Sequence, residues 1–295
     1  MTPFITLLLA LIQGAIGWGD LGHRTVVALA TKYLTHEETA HLYDLIGEDD
    51  LTTAGIWADK LCSESTSNYT CPWHYINVND HPPARCGVDV ERDHNASSHD
   101  IFTAFTNHTA IARGRTSSKA DRRDAMKFLF HWVADVHQPL HVEGFGRGGV
   151  DLPVLFDGQS TSLHAVWDFK MIEKYRGNDA SAAAAYAWAD ELYWSGLHYV
   201  HDRELDCAAA SPMGCILHWA NEANRAICEV VFEPGLVNII NHDLAAEYYT
   251  HSIATVNLQI SRAGRRLATW IKLILAEHTL PPQSNIQVLG GAALH

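Results

Sequence analysis

The sequence is poor in several features that would have decided its class at once. Beyond one stretch near the start, it has no apolar run approaching the ~18–20 residues that a membrane-spanning helix needs. It has no Cys-x-x-Cys pair, which argues against thiolate zinc and dithiol redox centres. It has no surplus of positive charge: 21 Lys and Arg stand against 34 Asp and Glu, for a net charge of −13. The electrostatic footprint of an ordinary nucleic-acid binder is therefore missing. No internal repeat and no long linker is found. What remains is a chain of 295 residues, 47% hydrophobic and 19% charged. That composition excludes a disordered protein and a small disulfide knot, and the length suffices for a sizeable core. Histidine is in excess, 19 residues, nearly as many as all Lys and Arg together.

The early apolar stretch runs from Phe4 to Leu11, small residues follow at Ala15 and Gly17, and the first charged residue is Asp20. Residues 1–17 read as a secretory leader, although its start lacks Lys and Arg; a buried N-terminal helix or strand is the alternative. Cleavage after Gly17 makes Trp18 the new N-terminus. Secretion fits the six cysteines. The spacings of Cys62 with Cys71 and of Cys207 with Cys215 suit local bridges, which leaves Cys86 and Cys228 for a long-range one, although spacing alone does not fix connectivity. Sequons at Asn68, Asn95 and Asn107 support an extracellular glycoprotein.

Apolar periodicity predicts helices over 20–34, 36–47, 98–112, 118–137, 162–176, 180–201, 213–231 and 243–276. Gly47 stops the second, and Pro139 ends the fourth two residues after His137. Val154-Leu-Phe-Asp157-Gly158 predicts a small hairpin around Asp-Gly. Residues 77–97, with Pro82-Pro83, read as an ordered loop. The expectation is one mainly helical, all-α domain over residues 18–295.

Two pairs stand out within this pattern. His131 and Asp135 lie four apart on a predicted helix, as do His164 and Asp168, so each pair shares one helix face and can reach one ion. His141 follows Asp135 after the proline. Asp59 and His74 stand alone, and His23 closes the motif Trp18-Gly-Asp-Leu-Gly-His23. A single His-x3-Asp is commonly a helix-surface hydrogen bond, but two of them beside apolar residues point to a metal site. Imidazole with carboxylate and no thiolate suits Zn²⁺ in a catalytic setting.

At these residues the chain resembles the class I trinuclear-zinc nucleases, the secreted single-strand-specific nucleases and 3′-nucleotidases of fungi and plants. The resemblance spans nearly the whole mature chain. It runs through Trp18-Gly-x-x-Gly-His23, Trp57-Ala-Asp59, His74-Tyr-Ile-Asn, Asn79-Asp-His-Pro-Pro, Cys86-Gly-Val-Asp and His131-x3-Asp135-x-His-Gln-Pro-Leu-His141. It continues through Leu163-His164-x-x-Trp-Asp168 to Ala263-Gly-x-Arg-Leu-Ala. It implies the mainly α-helical phospholipase C/single-strand nuclease-like fold, with a small β-hairpin.

It also implies three Zn²⁺ per chain. Asp59, His74, His131 and Asp135 would hold one, and His141, His164 and Asp168 a second. The α-amine and carbonyl oxygen of Trp18, with His23 and the other oxygen of Asp135, would hold the third. Leader removal then has a chemical purpose, because an amide nitrogen is a poor ligand. The implied reaction is hydrolysis of single-stranded DNA and RNA and of 3′-nucleotides to 5′-phosphorylated products, by attack of a zinc-held hydroxide. Asp59 would orient the nucleophile, so Asp59 and Asp135 are the implied catalytic carboxylates. Local zinc charge would let an acidic protein hold a polyanion, and an unstacked base would lie on Tyr75. A secreted monomer without membrane contact is implied.

Four departures from the family pattern matter. Cys62 stands where an Arg or Lys usually contacts the scissile phosphate, leaving Lys60 and Arg147 as candidate substitutes. Asn77 stands where an Asp usually bonds the base. His94 and His99 replace a short disulfide, and read as exposed loop histidines. Gly148-Gly149-Val150 replaces Gly-Gly-Asn. Two other readings share the metals: a zinc phospholipase C, and a catalytically impaired zinc-binding glycoprotein.

Overall fold

The computed structural model describes residues 17–94, 99–195, 207 and 211–279. The expected leader, apart from Gly17, therefore lies outside the described residues. So do the sequon at Asn95, the end of the helix expected over 180–201, and the C-terminal residues from 280 onward.

Helices α1 (Asp20–Thr31) and α2 (His36–Ile46) open the fold. Nearly every residue of α1 from Leu21 to Ala30 is buried, as expected of a central helix with neighbours all round. A capping box starts α2: the Thr35 hydroxyl accepts from the Glu38 N–H, and the Glu38 carboxylate accepts from the Thr35 N–H. Gly47 ends it in the left-handed conformation, as its position in the sequence implied. Two short helices follow, α3 (Leu51–Gly55) and α4 (Trp57–Ser63), then a 3₁₀ segment, Asn68–His74. Periodicity had not disclosed these three, because five to seven residues carry little of it.

The loop expected over 77–97 contains one helical turn, α5 (Val90–Asp93), capped by the Asp89 carboxylate. Helix α6 (Ile101–Arg113) starts on Asp100, and α7 (Lys119–Asp135) starts on Ser118. Both N-caps accept a backbone N–H through their side chains. From Ala125 to Asp135 every residue of α7 is buried, which places its last turns at the centre of the protein.

The hairpin pairs β1 (Pro153–Phe156) with β2 (Gln159–Ser162), with Phe156 opposite Gln159. Asp157 and Gly158 both take positive φ, the requirement of a type I′ turn. The Asp243 carboxylate accepts both of their N–H groups, which explains why the last helix begins at Glu247 and not at 243.

The helix expected over 162–176 is interrupted. It comprises a turn α8 (Leu163–Ala165), a π segment Val166–Lys170, and α9 (Met171–Arg176). Helices α10 (Ala182–Trp194), α11 (Pro212–Ala226) and α12 (Glu247–Thr279) complete the described fold. Six tryptophans are fully buried: Trp18, Trp132, Trp167, Trp188, Trp219 and Trp270. Bridges join Cys62 to Cys71, Cys86 to Cys228, and Cys207 to Cys215.

Helix α1 packs on α12, α10, α3 and α7. Its contact with α12 depends on Gly264: a Cβ there would come within 2.7 Å of Leu29 Cγ. Gly264→Ala should therefore overpack this interface, at a cost of roughly 1–3 kcal/mol. Thermal denaturation should show the apparent Tm falling by several degrees, at about 2–4 °C per kcal/mol. An unchanged Tm would mean that the two helices are not tightly engaged.

Candidate metal centre

The end of α7 brings His131 and Asp135 to the middle of the protein, both with no exposed surface. Helix α1 supplies His23, α4 supplies Asp59, and the 3₁₀ segment supplies His74 at its last residue. His141 comes from the next 3₁₀ turn, Pro139–Val142, while His164 and Asp168 come from α8 and the π segment. Asp59 and the histidines are buried too, so this cluster of ionisable groups has been taken out of water.

The side chains form three groups: His23 with His131 and Asp135; Asp59 with His74 and His131; and His141 with His164 and Asp168. Within each group one ligand atom per residue lies within 4.8 Å of the others. Asp135 divides its two oxygens. Its Oδ1 lies 3.4 Å from His23 Nε2, while Oδ2 lies 3.3 Å from His131 Nε2 and 3.1 Å from His74 Nδ1. Asp59 Oδ1 stands 3.2 Å from His131 Nε2, and Asp168 Oδ2 stands 3.0 Å from His164 Nε2.

The imidazoles are oriented by backbone carbonyls. His131 Nδ1 donates to Gly55 O at 2.7 Å, His141 Nδ1 to His74 O at 2.8 Å, and His164 Nδ1 to Gly148 O at 2.6 Å. Each bond fixes the proton on Nδ1 and leaves the Nε2 lone pair facing inward, the usual arrangement behind a metal-binding histidine. The Nε2 atoms of His23, His131, His141 and His164, together with Asp135 Oδ1, are buried and make no hydrogen bond. Buried polar atoms rarely go without partners. Atoms this close that still fail to bond are aimed past one another, at a shared point. Imidazole and carboxylate around such points are the donors that zinc takes, so these residues fit the ions.

Electrostatics gives the same picture. Burial favours the neutral acid of Asp135, but His131 and His141 outweigh it and hold its carboxyl well below the ordinary range. Asp59 is held low in the same way, by His131 and then His74. Burial and the nearby His131 push His23 down to about 3. The two rings stack with centroids 3.8 Å apart, so a proton on one opposes a proton on the other. His131 and His141 go the other way. Burial opposes their charged forms, yet Asp135 outweighs it for both, with Asp59 helping His131 and Asp168 helping His141, and each rises to about 9. Without ions, protons supply the positive charge that the buried carboxylates require.

Trp18 is fully buried and donates from its indole to Ala134 O at 3.0 Å. That bond pins the start of the described chain beside Asp135. Gly17 stands directly over the group of His23, His131 and Asp135: a Cβ on it would lie 1.9 Å from Asp135 Oδ1 and 2.8 Å from His23 Nε2.

The residues expected to contact substrate are more scattered. Tyr75 is half-buried and Asn77 is exposed on the strand-like segment after His74. The loop carrying Arg147 packs against that segment, with the Gly144 N–H donating to Val78 O at 2.9 Å. Arg147 itself points to solvent, its side chain 71% exposed and paired with Asp151 through two bonds of 2.7 Å. Lys60 is exposed on α4. Cys62 is tied to Cys71, so the usual position of the phosphate cation holds a bridge. His94 is not an exposed loop histidine as expected: it is half-buried and bonds Asp100 at 2.8 Å, whereas His99 is exposed. His137, which lies between ligand positions in sequence, faces away. It donates to Val133 O and accepts from Arg266.

A pocket set of this kind, built on helices from the N-terminus to the centre of the chain, defines a multinuclear metal-dependent hydrolase. The S1/P1 nuclease family model matches residues 18–276, and the chain belongs to that family. It is 32% identical to nuclease S1 of Aspergillus oryzae over 285 residues, which cover 94% of this chain and 98% of that protein. It is 32% identical to nuclease P1 of Penicillium citrinum over 269 residues, covering 87% and 97%. Endonuclease 4 of Arabidopsis thaliana is 28% identical over 294 residues, covering 92% and 94%.

Zinc requires neutral imidazole, so loading the ion-free protein at pH 7 should release about two protons, from His131 and His141. Calorimetry in buffers of differing ionisation enthalpy measures this number. The sign for stability follows from the raised values. In the ion-free protein these histidines stabilise the fold fully below about pH 6.5, and that contribution is lost as pH rises through about 9. Loading without proton release would contradict the assignment.

Proposed function

We propose that this chain is a secreted, zinc-dependent endonuclease and 3′-nucleotidase that hydrolyses single-stranded DNA and RNA to 5′-phosphorylated products. The observation that carries the reading is the convergence of buried, unpartnered imidazole nitrogens on carboxylates in three groups, two of which share His131, while Asp135 turns Oδ1 to His23 and Oδ2 to His131 and His74. Asp59, His74, His131 and Asp135 hold one ion; His141, His164 and Asp168 hold another; His23, Asp135 and the processed Trp18 hold the third. When bound, zinc lowers the pKa of water from about 15.7 to roughly 7 and offsets phosphate charge.

The chain's own residues do the rest. Asp59 is the ligand carboxylate with most access to solvent, at 9%, and its Oδ2 has no partner. It orients the attacking water through that oxygen. His141, His164 and Asp168 serve the side of the departing 3′-oxygen. Tyr75 offers a flat, half-exposed ring beside His74, where a base can stack once it has left its neighbours; a paired base must first be unpaired, which favours single strands. Asn77 both donates and accepts, so it can bond a base edge. Lys60 and Arg147 are the nearby cations available to a phosphate, Arg147 only after leaving Asp151.

Export fits the three disulfides and the exposed sequon residues Asn68 and Asn107. Among the described residues no helix is long and apolar enough to cross a membrane. The mature enzyme is a single domain from Trp18 onward and acts as a monomer. Removal of residues 1–17 serves the site twice: it frees the Trp18 amine, and it clears the space that Gly17 takes over His23 and Asp135.

Metal analysis by native mass spectrometry tests this directly. The chain beginning at Trp18 should bind three zinc ions and cleave single-stranded DNA and 3′-AMP while leaving phosphatidylcholine intact. The chain retaining Gly17 should bind two and cleave far more slowly. Asp135→Ala should cost more activity than His23→Ala, because it removes a ligand from two ions. Equal loading of the trimmed and untrimmed chains would refute the role of the Trp18 amine, and equal rates for the two variants would refute the bridging arrangement. Turnover of phosphatidylcholine alone would favour a phospholipase.

A further inference from the structure

Gln138 is a fully buried polar residue to which no role has yet been given. It sits between the end of α7 and the Pro139–Val142 turn, three residues after Asp135 and three before His141. Its backbone N–H donates to Asp135 O at 2.9 Å. Its side-chain Oε1 accepts from the Leu140 N–H at 2.6 Å, and its Nε2 donates to Asp168 Oδ1, also at 2.6 Å. The orientation of the amide is not arbitrary. The Leu140 N–H can only donate, so the atom facing it must be the oxygen, and the NH₂ must face Asp168.

The consequence lies at Asp168. This carboxylate stands on the π segment Val166–Lys170, between α8 and α9. Oδ2 faces His164 Nε2 at 3.0 Å, while Oδ1 lies 3.7 Å from His141 Nε2. A carboxylate with both oxygens free can rotate and present either or both to an ion. The amide of Gln138 holds Oδ1 and leaves Oδ2 as the oxygen for the pocket.

We propose that Gln138 is the positioning residue of the His141/His164/Asp168 pocket. It fixes Asp168 by donating from its uncharged amide to the carboxylate and thereby couples this pocket to the backbone beneath Asp135. The proposal rests on the metal-site reading above. A neutral amide suits the place: a carboxylate would repel Asp168, and an apolar side chain would leave Oδ1 without its donor. Residues that orient a metal ligand in this way commonly contribute about 10–100-fold to affinity.

Two variants separate positioning from simple packing. Gln138→Glu keeps an acceptor for the Leu140 N–H but loses the donor to Asp168. Gln138→Met loses both. Both are titrated, as Trp18-start protein, with zinc in chelator-buffered solution, and metal bound per chain is measured together with the Tm of the ion-free protein. The expected result is that one zinc weakens about 10–100-fold in each variant while the other two stay bound as tightly as before. The carboxylate of Gln138→Glu faces Asp168, so the Tm of the ion-free protein falls in this variant too, and loss confined to one zinc is the reading that separates positioning from packing.

If Gln138→Glu binds three zinc ions as tightly as the unaltered chain, the bond to Asp168 does not position the pocket and the proposal is wrong. Uniform weakening of all three ions with a lowered Tm in both variants would assign Gln138 a packing role and overturn it equally. Failure of the unaltered chain itself to bind three ions would instead remove the metal-site reading, and this proposal with it.

Discussion

One buried carboxylate carries the greatest constraint in this protein. Asp135 has no exposed surface, and its two oxygens address different imidazoles: Oδ1 faces His23, while Oδ2 faces His131 and His74. A buried anion is tolerated only where compensating charge is at hand. Protons on His131 and His141 provide some of it in the ion-free chain, and divalent cations provide more. The surrounding fold can be understood as the means of keeping that carboxylate, and the rings around it, from relaxing toward each other. Helices α1 and α7 are buried on nearly every side along the relevant turns, and Trp18 is locked to Ala134 immediately before Asp135. The cost of burying these groups is offset by packing elsewhere and would be recovered on binding ions.

The second level of control is backbone. Gly55, His74 and Gly148 contribute no side-chain chemistry through the carbonyls that orient His131, His141 and His164. Gly148 shows why such positions are restricted: its φ is +62°, and a Cβ would come within 2.5 Å of Leu140 O. The Gly-rich loop thus serves the metal pocket through the Gly148 carbonyl. It connects the hairpin region to the 3₁₀ turn that carries His141.

Much of this was legible in the sequence, for reasons that differ by element. Long amphipathic helices with Ser, Thr or Asp caps announce themselves, and α2 with Thr35, Glu38 and Gly47 is the clearest case. The pairs His131/Asp135 and His164/Asp168 were readable because a helix places such residues on one face. Asp59, His74 and His23 carry no helical-spacing signal: they stand as lone candidates, and only resemblance to a family assigns them to ions. The short helices α3 and α4 escaped because they have too few residues to express a period. The π segment around Asp168 escaped because its composition is ordinary for a helix. Gln138 lay in plain view within His-Gln-Pro-Leu-His, but only the fold reveals that its amide meets Asp168. The carbonyl partners of the imidazoles have no sequence signal at all.

The acidity of the chain is resolved by the same cluster, since local cationic charge, not net charge, decides where a phosphodiester settles. The central claim is therefore that Asp135 lies between two metal ions. Anomalous diffraction at the zinc edge, from crystals of the chain beginning at Trp18, tests it most directly. The account predicts three anomalous peaks, two of them flanking the Asp135 carboxylate and one beside His141, His164 and Asp168. A single peak, or none adjoining Asp135, would contradict it.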